Sequence, residues 1–62
     1  MINLKVNVLD LKEGDVVKYI NWKQIVSITE THAPEYKASY RTLYFEDGTN
    51  EIFNIYERLD RS

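Results

Sequence analysis

The 62-residue sequence carries 44% hydrophobic and 29% charged residues, a formal net charge of −2 and no cysteine. That is one domain, residues 1–62, because folded units rarely get much smaller. It excludes a multidomain enzyme, a disulfide scaffold and a nucleotide-binding α/β fold, in which a single βαβ unit takes about 30 residues.

The first predicted strand is Ile2-Asn3-Leu4-Lys5-Val6-Asn7-Val8, whose strict alternation puts Ile2, Leu4, Val6 and Val8 on one buried face. Asp10 to Gly14 reads as a tight turn, with Asp10 as a local cap and Gly14 at positive φ. Val16 to Ile20 is the second strand, Val17 and Tyr19 inward and Lys18 outward. Asn21 marks a short turn. Trp22 to about Thr31 is a long third strand, with Trp22, Gln24, Val26 and Ile28 on one face and Ile25, Ser27 and Thr29 on the other. The adjacent apolar pair Ile25-Val26 predicts cover on both faces, as where a sheet curls. Glu30 to Ser39, with Pro34 and the single histidine His32, reads as an exposed hairpin tip.

Tyr40 to Phe45 is the fourth strand, Leu43 and Phe45 on one face and Tyr40, Thr42 and Tyr44 on the other. Asp47-Gly48 is a strong hairpin signal, and Thr49 to Phe53 returns as a fifth strand. Asn54 to Tyr56 fits one helical turn, followed by an extended piece over Glu57–Leu59 and fraying at Asp60–Ser62. The predicted core is Phe45, Phe53 and Tyr19, with Trp22 as a partly buried lid.

Composition supports the strand reading. Six Ile, five Val, four Thr and eight aromatics make 23 β-branched or aromatic residues, against two Ala. Such side chains pack well on a pleated surface and lose χ1 freedom in a helix. Five or six short strands in one sheet must hide their edges, and the chain is too short for a two-sheet sandwich. The expected fold is all-β: a single small, five- to six-stranded, strongly bent antiparallel sheet closed on itself.

Three stretches carry a resemblance: Leu11-Lys12-Glu13-Gly14-Asp15-Val16-Val17, Trp22 with Ile25-Val26-Ser27-Ile28, and Phe45-Glu46-Asp47-Gly48-Thr49. Their spacing resembles SH3-like small barrels of the Tudor/KOW kind, over roughly residues 9 to 53, as in small phage and mobile-element proteins. The resemblance implies a fold more than an activity.

Catalysis is not expected. A nucleophilic triad needs a base that is itself oriented, and His32 sits in the predicted loop. One histidine without cysteine makes no zinc site. Glu46, Asp47 and Glu51 around one turn, and Glu30 and Glu35 around another, read as solvated acids, because acid–base pairs need a cleft that sets their pKa values apart. Two glycines this far apart form no phosphate loop. No cofactor is expected.

Binding residues remain. Trp22, Tyr36, Tyr40 and Tyr44 are hard to hide together, and exposed rings serve protein hot spots. Lys18, Lys23, Lys37 and Arg41 lie on the second to fourth predicted strands and the intervening tip, where cations beside rings suit single-stranded nucleic acid. The sequence pI near 5.2 runs against that use. The expected function is therefore a non-catalytic regulatory or adaptor module docking on a protein through those aromatics. Nucleic-acid binding is the alternative, and self-association through an edge strand a third. No membrane segment or signal peptide is expected, which makes the cytoplasm the expected location.

Overall fold

The computed structural model describes residues 4–36 and 38–62. Six antiparallel strands form one sheet: β1 (Leu4–Asn7), β2 (Val16–Tyr19), β3 (Asn21–Ala33), β4 (Ala38–Phe45), β5 (Asn50–Asn54) and β6 (Arg58–Arg61). Their order is β1-β6-β2-β3-β4-β5. The all-β reading holds, but the sheet is not closed into a barrel. β1 and β5 remain edges, although Val8 N–H bonds Glu57 O at 2.8 Å and Leu9 N–H bonds Ile55 O at 3.0 Å.

One strand creates the bend. The first four residues of β3 pair with β2, and the rest pair with β4. Ile25 lies opposite Phe45 and Ser27 opposite Tyr44, so Val26 is an extra residue in a β-bulge. A bulge reverses the inward–outward alternation beyond it. Ile25 and Ile28 are an odd number of residues apart, yet both turn to the core: Ile25 is fully buried and Ile28 packs against it. The expected grouping of Ile28 with Trp22 and Gln24 is therefore corrected. An unbroken period of two does not survive the bulge.

The core comprises Val8, Leu11, Val17, Ile25, Leu43, Phe45 and Phe53, with Val6, Tyr19, Ile28 and Leu59 packed around it. Tyr19 joins the two parts of the sheet. Its ring stacks on Phe45 at 6.2 Å and meets Phe53 edge-on at 5.2 Å. Trp22 is 41% exposed and points away from the core, so it is not the expected lid.

Several boundaries differ from expectation. Ile2 lies outside the described residues, and Leu4 is exposed near the end of β1. Val8 belongs to a 3-10 turn, Val8–Asp10, rather than to the strand. Asp15 rather than Asp10 organises the next turn, its carboxylate accepting Lys12 N–H at 2.9 Å. Gly14 adopts the predicted positive φ, at 96°, and Gly48 in the Asp47-Gly48 turn has φ 88°. The expected tip at Glu30–Ser39 is mostly strand, and only Pro34–Tyr36 forms a 3-10 turn there. Asn54–Glu57 is a hydrogen-bonded turn instead of a helical one. Residues 58–61 do not fray. They form β6 between β1 and β2, because both neighbours offer backbone partners.

Tyr19 pairs directly with Asn21, which leaves Ile20 alone at the β2–β3 tip with φ 68° and 79% exposure. A β-branched residue there sets Cβ against the following carbonyl, while burying nothing in return. Replacing Ile20 with Asn, which tolerates this conformation, is expected to raise stability by about 1 kcal/mol. Thermal melting should register this as a Tm roughly 4–8 °C higher; a lower Tm would count against strain at this tip.

Candidate protein-binding face

Alternation along β4 and β5 decides what points away from the core. Leu43 and Phe45 are buried, so Tyr40, Thr42 and Tyr44 take the opposite face, as expected. Phe53 is buried on β5, which turns Ile52 outward. The register sets Ser27 across from Tyr44 and Thr42 across from Ile52, and the bulge residue Val26 adjoins Ser27. Val26 and Ile52 are each 53% exposed and Tyr44 37%. Together they form a diagonal strip across three strands, interleaved with Ser27, Thr42 and Asn50.

Of the four predicted aromatics, Tyr40 and Tyr44 share this face, four residues and therefore about 13 Å apart along β4. Tyr40 is half-buried. Trp22 points outward from the part of β3 that pairs with β2, beyond the bulge, and Tyr36 belongs to the tip turn. Val26, Ile52 and Ile20 were not singled out from sequence. Ile52 was legible, since an inward Phe53 forces its neighbour outward.

The basic residues are distributed differently from expectation. Lys18 is exposed, opposite Trp22 on one side and Asp60 on the other. Lys23 is only 9% exposed. Its ammonium donates to Thr49 Oγ1 at 2.9 Å, lies 3.2 Å from Asp47 Oδ2, and sits 5.3 Å from the Phe45 ring centroid. Arg41 follows Leu43 and Phe45 onto the inward face. It donates to the carbonyls of Leu11 at 3.0 Å and Val8 at 3.3 Å, and pairs with Glu30 at 3.1 Å. Lys37 lies outside the described residues.

Of the carboxylates singled out above, Glu30, Asp47 and Glu51 are likewise engaged within the fold. Hydrogen bonds from the Thr49 hydroxyl and backbone N–H, then Lys23, lower the Asp47 pKa from 3.8 to about 2. A folded-state value below the unfolded one stabilises the turn above the ordinary pKa and loses that contribution as the pH falls toward 2. Glu51 accepts the Tyr19 hydroxyl at 2.8 Å, and that bond, with burial and the Glu51 charge, raises the Tyr19 pKa.

His32 is not in a loop. It stands on β3 opposite Ser39, with Nδ1 2.8 Å from the serine Oγ, at a cleft of about 310 Å³ whose floor includes Leu9 and Ile55. Nucleophilic use would require a third group orienting the base. Glu30, on the same face, is held by Arg41. Among the described residues no group of His, Cys, Asp or Glu is arranged to hold a metal ion, and no helix is long and apolar enough to cross a membrane. The chain matches no protein-family model, no curated protein and no solved structure.

Proposed function

We propose that the protein is a non-catalytic binding module, a small regulatory or adaptor protein that docks on a protein partner through its outer face. The observation that carries this reading is the strip of Val26, Tyr44 and Ile52. These exposed side chains occupy one face of three neighbouring strands, Ile52 diagonal to Tyr44 and Val26 at the bulge beside it, while the core is filled from the other face. Exposed aliphatic side chains around a tyrosine are what protein hot spots use. The nucleic-acid alternative is weakened because Lys23 and Arg41 already hold partners within the chain. An open, bent antiparallel sheet fits the SH3-like small-barrel reading, and a phage-type accessory protein acting in the cytoplasm is the setting that reading implies.

The test is affinity capture from lysate with and without nuclease, followed by titration of the captured partner with Trp22→Ala, Tyr36→Ala, Tyr40→Ala and Tyr44→Ala variants. Capture should persist after nuclease treatment. Tyr44→Ala should weaken binding by roughly thirtyfold, the size of a hot-spot loss of about 2 kcal/mol. Nuclease-sensitive capture, with affinity falling steeply as salt rises, would instead favour nucleic acid. Unchanged affinity in all four variants would remove the aromatic face from consideration.

A further inference from the structure

We propose that two copies of this chain join through their β5 edges, antiparallel about a twofold axis at Ile52, merging two sheets into one. This goes beyond the docking role above and stands on a different observation, the backbone groups left open along β5.

β5 ends the sheet and pairs on one side only, with β4. Phe45 N–H bonds Thr49 O at 2.8 Å and Ile55 N–H bonds Ser39 O at 3.2 Å, which aims positions 49 and 55 at β4. Antiparallel alternation then aims Glu51 and Phe53 the same way and turns the N–H and C=O of Asn50, Ile52 and Asn54 outward. Among the described residues, two of these six groups have partners within the chain. The Asn54 carbonyl accepts Glu57 N–H at 3.0 Å, and Ile52 N–H makes a long 3.3 Å contact to the Glu51 carboxylate.

The strand complements itself. Asn50-Glu51-Ile52-Phe53-Asn54 paired with its own copy about Ile52 sets Ile52 opposite Ile52, Asn50 opposite Asn54, and Glu51 opposite Phe53. No like charges face each other, the arrangement that destabilises cross-strand pairs. Ile52, 53% exposed, gains an apolar neighbour on its open side. The two strands then exchange both backbone bonds at Ile52, and each Asn54 N–H donates to the Asn50 carbonyl of the other copy. The Asn54 carbonyl keeps its Glu57 N–H, and the Ile52 N–H trades its long contact for the Ile52 carbonyl of the second copy.

The other long open edge serves less well. Along β3, the same alternation turns the backbone N–H and C=O of Ile28, Glu30 and His32 away from β4, but pairing all three with a second copy centres on Glu30 and opposes two carboxylates. Pro34, next along, has no N–H to donate. Charged side chains and proline are devices that keep an edge unpaired. The β5 edge offers the better match for a second copy.

The absence of cysteine makes the test register-specific. In Ile52→Cys the two Cα atoms would meet about 5.5 Å apart, within disulfide reach. In Asn50→Cys the two cysteines would lie roughly 13 Å apart along the strands. Mild oxidation should link the Ile52→Cys chains at least tenfold more completely than the Asn50→Cys chains. The unmodified protein should sediment at twice its 7.4 kDa mass. Ile52→Lys should sediment as a monomer with an unchanged far-ultraviolet spectrum, because Ile52 contributes nothing to the core. A monomeric parent at millimolar concentration, equal linking of both cysteine variants, or a dimeric Ile52→Lys would overturn the proposal. A monomer whose Ile52 edge captures a strand of a different protein would also overturn it, reassigning the edge to a foreign chain.

Discussion

Truncating Phe45 to alanine is expected to leave much of the isolated chain unfolded at 25 °C. Phe45 is 3% exposed, faces Ile25 across the ladder, stacks on Tyr19 and lies under the Lys23 ammonium. A buried Phe→Ala change costs about 3–5 kcal/mol, through lost transfer energy and the cavity left behind. At about 0.05–0.15 kcal/mol per residue, a chain this short has only about 3–9 kcal/mol in total. Chemical denaturation followed by circular dichroism should show the midpoint falling by half or more. A loss below about 1 kcal/mol would mean that the two parts of the sheet do not share this core.

Replacing Arg41 with methionine should give the next largest loss, about 2 kcal/mol. The change retains an apolar stem and removes the guanidinium, leaving the Leu11 carbonyl without its 3.0 Å donor; a buried acceptor left unpaired costs about 1–3 kcal/mol. Its ion pair with Glu30 contributes less, because Glu30 is 69% exposed and water screens such pairs. Glu30→Gln should therefore cost less than about 1 kcal/mol. Urea midpoints of the two variants separate these contributions. Equal losses would show that the ion pair to β3, rather than the carbonyl bonds to the segment after β1, carries the contribution of Arg41.

Arg41 also illustrates what a linear reading misses. Its position two residues before Leu43 put it on the inward face, and strand alternation alone contained that information. What was not legible was the carbonyl pair waiting there, brought from a segment 30 to 33 residues earlier in the chain. Lys23 and Ile25 reach the core side by the same alternation, and a buried lysine becomes visible only once Asp47 and Thr49 are seen beside it. Glycine and turn chemistry located Gly14 and Asp47-Gly48 correctly, because those signals are local. The bulge at Val26 was signalled only by the adjacent apolar pair, which suggested a bend without showing how the alternation would change. β6 was only half anticipated, as an extended piece over Glu57–Leu59 with fraying beyond it, because Glu57 to Ser62 holds a single large apolar residue, Leu59. Its strand character comes from two flanking ladders rather than from its own side chains.

The placement of β6 between β1 and β2 has a consequence for how the molecule is made. On a growing polypeptide β1 emerges first, yet its ladder partner is the last of the six strands to be synthesised. Until Arg58–Arg61 arrives, β1 has no strand to pair with and β2 lacks one of its neighbours, whereas the β2–β5 meander can assemble from adjacent hairpins. Local pairings form quickly and distant ones wait on loop closure. The meander should therefore form first, with the joining of β6 to β1 and β2 setting the pace of completion.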